Sequence, residues 1–376
     1  MENLKVKRNE RVNSFDNAEN GQTNYDMVVF CHLRWQFVYQ RPQHIISRLS
    51  KDKKILFVEE PIGFLPEEEN TAILTEVSSH LHILQPKVKS IEDIANLLPK
   101  YISNSKVSIG WFYSAAFSVL LVEEIFETII YDCMDELSLF KGAPQELIDQ
   151  EKFLISNAAI VFTGGKSLYE SKKKMHENAF CFPSSVDEKH FAQALNGIEV
   201  PSDIASIKAP IVGYYGVIDE RIDLELLHET AEKLPEISFV MIGPLAKIGD
   251  NDLPKAKNIH YLGMKSYAEL PAYLKAFDIA MMPFALNDST KFISPTKTLE
   301  YMAAGKPIIS TKIKDVVTDY SDCVSLIENA TQFCEAISKS SVENHENKVT
   351  YKQILANTSW DATVEKMSAI IKKTVL

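Results

Sequence analysis

Phe292-Ile-Ser-Pro-Thr-Lys-Thr-Leu-Glu-Tyr-Met-Ala-Ala-Gly-Lys-Pro-Ile-Ile-Ser310 runs from a polar loop into a helix opening at Ser294-Pro295. Gly305 stops that helix and Pro307–Ser310 reads as a strand. Proline is favoured at a first helical position because its missing N–H would be an orphan there anyway. A helix start written Ser-Pro-Thr-Lys offers unpaired amides, two hydroxyls and one cation to an anion. Glu300 lies about one turn beyond Thr296 and can share its face. An anion cradle with a carboxylate one turn inward suits a nucleoside diphosphate whose ribose hydroxyls need an acceptor. The competing reading is a capped amphipathic helix that buries Leu299, Met302 and Ala303, and the rest of the chain has to decide.

At 376 residues the chain is long enough for two domains of ordinary size. Its 45% apolar and 24% charged content is that of a water-soluble globular fold. No apolar run reaches the roughly 18 residues of a membrane span. Residues 1–24 are polar and asparagine-rich and read as a disordered leader without a signal core. Five scattered cysteines without a Cys-x-x-Cys pair indicate free thiols, hence a reducing cytoplasm. The inner face of a membrane is the alternative location. A formal charge of −11 argues against nucleic acid as a partner. No basic patch supports peripheral membrane contact; Lys172–Lys174, the single basic run, reads as a solvated helix face.

Short β-branched runs alternate with helical patterns, the signature of parallel βαβ units. The first series is Met27–Phe30, Lys54–Val58, His82–Leu84, Val107–Trp111, Thr128–Tyr131, Ala159–Phe162 and Ala179–Phe182. Helices are expected over Pro42–Ser50, Ala115–Phe126 and Gln145–Ser156. After a linker over Asn196–Pro210 a second series follows: Ile211–Tyr215, Ser238–Ile242, Ile259–Leu262, Ile279–Met282 and Pro307–Ser310. The fold class is therefore α/β, with two Rossmann-like doubly wound parallel-sheet domains facing a cleft. The domains are expected over 25–195 and 205–355, and a last helix, 360–376, either finishes the second or crosses back to the first. Such sheets bind ligands outside the carboxyl ends of their strands.

Polar or glycine-containing segments follow each second-series strand. Gly216 makes a tight turn before Arg221, whose planar fork suits diphosphate oxygens. An exposed Asp219–Arg221 or Glu220–Arg221 surface cluster is the plain alternative. Gly243-Pro244 lets a ligand approach the backbone, and Gly263 to Tyr267 can bring amides and an aromatic ring to a base. Alignment of these segments with the Ser294–Glu300 stretch on one sheet edge favours a nucleotide pocket over unrelated turns.

Several stretches together resemble the GT-B fold glycosyltransferases, particularly the bacterial family-4-like group. They are Gly213–Leu227, Phe239–Pro244, Asn258–Gly263, Leu270–Asp278 and Ser294–Pro307, about a third of the chain. The resemblance implies a second domain that holds a nucleotide sugar, with uridine or guanosine diphosphate the expected carrier and no cofactor or metal. Arg221 and Lys297 would neutralise the diphosphate, Ser294, Pro295 and Thr296 would cradle it, and Glu300 would hold the ribose. The family often has a second glutamate eight residues before this one. Here that position is Phe292, with Asp288 or Asn287 as substitutes near the donor sugar.

In the first half, Cys31-His-Leu-Arg-Trp35 follows the first strand and Gln40-Arg-Pro-Gln-His44 opens the next helix. Arg34, Arg41 and His44 are candidates to meet a polar or phosphate-bearing acceptor, and Trp35 to stack on a sugar. The same glycosyltransferases often open their first domain with such a Trp…Arg-Pro-Gln-His text. Asp132, Asp135 and Glu136 sit just past another strand. Clustered carboxylates repel, so one pKa is expected to rise toward a general base's range, with Asp135 the candidate. Capping of the next helix or pairing with Lys141 is the structural alternative. Tyr113-Ser114 is expected at the same cleft, and Val186-Asp187 reads as hinge architecture. Asp250-x-Asp252 has the form of a metal-binding motif but lies in a polar loop and reads as a turn. The first strand lacks a Gly-x-Gly-x-x-Gly, which argues against a dehydrogenase.

The expectation is a transferase moving a sugar from a nucleotide donor to a glycan or lipid-linked acceptor hydroxyl. Retention and independence from metal are implied by the resemblance. The alternatives are a sugar-nucleotide epimerase and a catalytically silent nucleotide-sugar-binding partner in a polysaccharide assembly complex.

Overall fold

The computed structural model describes residues 22–65, 69–139, 143–340 and 347–375. Most of the expected leader and Lys141 lie outside the described residues. The first sheet has eight strands: β1 (Met27–Cys31), β2 (Ile55–Glu59), β3 (Thr71–Ser78), β4 (Leu81–Lys87), β5 (Val107–Phe112), β6 (Phe126–Cys133), β7 (Ile160–Thr163) and β8 (Ala179–Cys181). Their order is β3-β4-β2-β1-β5-β6-β7-β8. Of these eight only β3 runs antiparallel, against β4. The second sheet is parallel throughout and comprises β9 (Ile211–Tyr215), β10 (Ser238–Ile242), β11 (Ile259–Tyr261), β12 (Ile279–Met282), β13 (Ile308–Thr311) and β14 (Ser325–Ile327). Its order is β11-β10-β9-β12-β13-β14.

Both faces of the first sheet are covered, which is why β1 is apolar without alternation. Val28 and Phe30 enter one core, Met27 and Val29 the other. That second core is completed by Trp360, Val364, Met367 and Ile371 of the helix Trp360–Val375. The C-terminal helix therefore crosses back onto the first domain and packs beside the helix Arg41–Leu49. The edge strands β3 and β14 go beyond the sequence expectation. Each lacks a buried apolar run, with β3 mostly exposed, so neither carries the pattern that marks an inner strand. Ala115–Glu123 is a 3₁₀ run instead of the expected α-helix, closed by Glu124 in the left-handed region.

In each sheet the chain winds outward one way and then the other, reversing between β1 and β5 and between β9 and β12. At these switch points the connections leave in opposite directions and open a crevice at the strands' carboxyl ends. The segments after β1, β9 and β12 all leave from these crevices. Topology thereby gathers into one cleft the residues that sequence distance separates.

Candidate nucleotide-sugar cleft

A cavity of about 150 Å³ lies between the domains. From the second domain Gly216, Arg221, Ser294, Pro295, Thr296, Lys297 and Glu300 line it. From the first come Gln40, Arg41, His44 and Asp135.

The regular helix begins at Lys297 and not at Ser294-Pro295. One irregular turn precedes it, in which Thr298 N donates to Pro295 O and Leu299 N to Thr296 O. The Thr296 and Lys297 amides thus come before the first helical bonds, the position at which amides need an outside acceptor. The Thr296 hydroxyl is engaged across the domain boundary. It donates to Ser184 Oγ at 2.9 Å, and Ser184 donates to Ser294 O at 2.9 Å. Those bonds tie this turn to the first domain. Glu300 is buried and accepts a 2.6 Å hydrogen bond from Tyr215 OH. Burial raises its pKa against the pull of Lys297 and of that bond. The same desolvation lowers the pKa of Lys297, whose ammonium lies 5.7 Å from the centre of the Tyr214 ring.

Gly216 has φ +143°, and a Cβ there would come within 2.3 Å of Lys297 Cε. Glycine at this turn is what lets the lysine cross it. Gly243 does not line the cavity. A Cβ on it would meet Gly216 O at 1.8 Å, and its N–H donates to Gly263 O at 2.9 Å. Its amide is spent on the Gly263 carbonyl, not on a ligand, and its missing Cβ leaves room for the Gly216 turn.

Arg221 is gripped by Asp219 through Nε at 3.0 Å and Nη2 at 2.7 Å. Asp219 is 4% exposed, so the pair is a buried brace at the cleft and not a surface cluster. The carboxylate raises the arginine's pKa still further against the cost of burial. Sequence reasoning reads Asp219 as a surface partner of Arg221 and misses Tyr215, which orients Glu300. The only local signal of the brace is an acid two residues before the arginine.

The first-domain wall departs more from expectation. Arg34 is tied to Glu59 Oε2 at 3.2 Å, to Pro61 O at 3.1 Å and to Glu60 O. Trp35 N donates to Glu59 Oε1 at 2.7 Å, and its ring meets Phe57 edge-on. Both hold the loop after β1, and neither lines either cavity. Asp132 is fully buried in a bidentate pair with Arg41, Nη2 to Oδ1 at 2.9 Å. It too is structural, since its charge is matched inside the protein. Arg41 reaches the cavity with this pair behind it. His44 stacks on Trp360 with ring centroids 4.7 Å apart, and burial pulls its pKa down to about 2.

The expected carboxylate cluster is not one. Glu136 accepts from Lys172 at 2.7 Å, and Lys172 is 2% exposed with a second bond to Glu151 at 2.6 Å. That lysine is a buried ion-pair centre and not part of a solvated face. Of the three carboxylates, Asp135 alone faces the cleft. Its pKa is raised, chiefly by burial and partly by Asp219, while Arg221 and Lys297 oppose the rise. Repulsion from Asp132 or Glu136 is not the cause. Phe292, at the position expected to be glutamate, packs against the first domain's core while Ile293 takes the cavity wall. Neither Asn287 nor Asp288 lines the cavity; Asn287 caps the short turn Asp288–Thr290. Asp252 accepts from Gly249 N at 2.8 Å, as a turn residue does. Tyr113 is buried behind the cleft, whereas Ser114 lines a neighbouring cavity.

That neighbouring cavity, about 570 Å³, shares Gln40, Asp135 and Arg221 with the first and extends over the first domain to His32, Phe37, Glu60 and Glu92. Among the described residues no helix is long and apolar enough to cross a membrane.

Comparison with known proteins shows what this chain is similar to. The sequence profile described as Glycosyl transferases group 1 matches residues 209–341. TuaH of Bacillus subtilis (strain 168), named as a putative teichuronic acid biosynthesis glycosyltransferase, is 26% identical over 220 residues. That match covers 54% of this chain and 55% of TuaH, so the chain is aligned with about half of that relative's length. Among solved structures, sucrose-phosphate synthase from Thermosynechococcus elongatus superposes with a TM-score of 0.68 at 13% identity, covering 92% of this chain and 98% of the other. Anabaena HepE in complex with UDP and glucose gives 0.63 at 12% identity, covering 93% and 100%. The α,α-trehalose-phosphate synthase (UDP-forming) of Burkholderia xenovorans, in complex with glucose-6-phosphate, gives 0.69 at 9%, covering 92% and 99%. Residues 209–341 are therefore similar to the group 1 glycosyltransferases, and the chain as a whole has the GT-B fold.

Proposed function

We propose that the protein transfers a glycosyl group from a nucleoside-diphosphate sugar to an acceptor hydroxyl during polysaccharide synthesis. The observation that carries this reading is the convergence of Arg221, Lys297 and the Ser294–Thr296 turn on one cavity wall, with Glu300 one turn inward. The diphosphate would lie against the two cations and the turn's amides, and the ribose against Glu300. In the reaction the bond from the anomeric carbon to the diphosphate oxygen breaks, and its electron pair leaves with the nucleotide. Arg221 and Lys297 stabilise the charge that develops there, the role a metal plays in other transferases. The acceptor oxygen bonds to the anomeric carbon and its proton passes to Asp135, whose raised pKa suits a base. Retention at the anomeric carbon is part of the proposal and requires the acceptor oxygen to enter on the face from which the diphosphate leaves, the side on which Asp135 stands near Arg221 and Lys297. The UDP and glucose held by HepE, which shares the fold, suit this reading.

The Phe292 packing removes the glutamate expected near the donor sugar, and this favours a second reading in which the chain binds nucleotide sugar without turnover. Thermal-shift titration with uridine, guanosine and adenosine diphosphates and their sugars tests the pocket, because a ligand stabilises the fold according to its affinity. One nucleotide series is expected to stabilise the wild type and to lose that effect in Lys297→Ala and Glu300→Ala. Unchanged affinity in both variants would remove the pocket assignment. Binding without product from any donor and acceptor pair would select the silent partner, and a new sugar nucleotide formed from donor alone would select an epimerase.

A further inference from the structure

The larger cavity adjoins the nucleotide cavity through Asp135 and Arg221, yet its lining differs in charge. Glu60, Glu92 and Glu146 join Asp135 on its wall, and Arg221 and Lys247 are the cations there. Arg221 is paired with Asp219 on the same wall and is committed to the donor diphosphate in the proposed function, and Lys247 lies 3.5 Å from Glu220. Lys297, which can receive a phosphate, lines the other cavity and not this one. A phosphate or carboxylate entering here would meet unbalanced negative charge in a partly desolvated space, and like charges brought together this way are strongly disfavoured.

Among the residues of this wall, one buried polar atom lacks a partner. His32 Nδ1 is buried without a hydrogen bond, whereas buried polar atoms in folded proteins are nearly always satisfied. Burial and the nearby Lys247 lower its pKa to about 4, so the ring is neutral at pH 7. A neutral imidazole can either accept from or donate to a hydroxyl. Phe37 and Ile91 add apolar surface suited to the C–H face of a sugar ring.

We propose that this cavity receives the acceptor as a glycoside carrying no phosphate or carboxylate on the sugar that enters it, with His32 Nδ1 bonding one of its hydroxyls. The proposal rests on the transferase reading for the word acceptor, and of the expected polar or phosphate-bearing acceptors it selects the uncharged polar one. Its volume of about 570 Å³ fits a ligand of mono- or disaccharide size.

Matched pairs test it. The full-length protein, with the nucleotide selected by thermal shift, is titrated with methyl and octyl glucosides against glucose 6-phosphate and methyl glucuronide, and binding is read by saturation-transfer NMR. The neutral glycosides should bind roughly tenfold or more tightly than their charged counterparts. Glu92→Gln with Glu146→Gln should narrow that gap, and His32→Gln should weaken neutral binding by roughly tenfold. Equal or tighter binding of the charged members overturns the proposal. So does failure of every neutral glycoside to bind a protein that still binds nucleotide, an outcome that leaves the donor reading standing. Loss of nucleotide stabilisation would instead strike the donor reading, and the glycoside titration would still decide this cavity.

Discussion

The two walls of the cleft use polar residues in opposite ways. On the second-domain wall Arg221, Lys297 and Glu300 reach the cavity, with Asp219 steadying the arginine and Tyr215 the glutamate. On the first-domain wall most of the polar residues are consumed in holding the domain together: Arg34 with Glu59, Asp132 with Arg41, and Lys172 with Glu136 and Glu151. Residue type and strand-end position are the same on both walls. What separates a ligand-facing group from a brace is whether the side chain still lines the cavity once its partner is engaged, as Arg221 does beside Asp219 and Arg34 does not beside Glu59.

That contrast can be broken most forcefully at Arg41. Arg41→Ala leaves Asp132 buried and unpaired, and should cost about 3–5 kcal/mol of stability. Pairing Arg41→Met with Asp132→Leu should recover much of the loss, as measured by denaturant unfolding. If Arg41→Ala is as stable as wild type, the brace description fails. On the opposite wall, Lys297→Ala should cost turnover about 10²–10³-fold, equivalent to roughly 2.7–4 kcal/mol at the transition state, with little change in unfolding midpoint. A variant that mainly unfolds would put Lys297 among the braces. Asp135→Asn should also abolish most turnover while nucleotide affinity persists, and wild-type turnover would remove Asp135 from the mechanism.

A smaller effect separates the walls by pH. His44 titrates near 2 when folded and near the ordinary 6.5 when unfolded. The unfolded chain therefore binds the proton first, so this contribution is complete above about pH 6.5 and is lost on acidification at about 1.4 kcal/mol per pH unit. His44→Phe keeps an aromatic ring against Trp360 and removes the titration. Its stability should fall less steeply than the wild type's between pH 6.5 and 5, and parallel curves would refute the shift. The smallest effect is expected at Arg34, about a third exposed. Arg34→Ala should cost about 1 kcal/mol or less and leave nucleotide affinity as it was.

Most inner strands are legible in the sequence because a strand buried on both faces must be written as a continuous apolar run. The runs Ile211–Tyr215, Ser238–Ile242 and Ile279–Met282 coincide with β9, β10 and β12. Edge strands such as β3 carry no such constraint. Residues chosen for the second-domain pocket come together because their spacing along successive strand ends is itself the geometry of a parallel sheet. Gly243 misleads because a glycine that admits a ligand and one that admits another turn of backbone look alike in one dimension.

The sequence by itself determined the two parallel-sheet domains, the edge at which a nucleotide could sit, and the glycines and cations of that edge, since all of these follow from local periodicity and strand order. Only the tertiary structure decided which charges are already neutralised, that Asp135 stands in the cleft without Asp132 and Glu136, and that Phe292 seals the domain contact. It also joined the C-terminal helix to the first domain and revealed an acidic cavity beside a more cationic one. Those outcomes depend on which side chains meet across long sequence separations, where burial makes each unmatched charge expensive and each matched one silent.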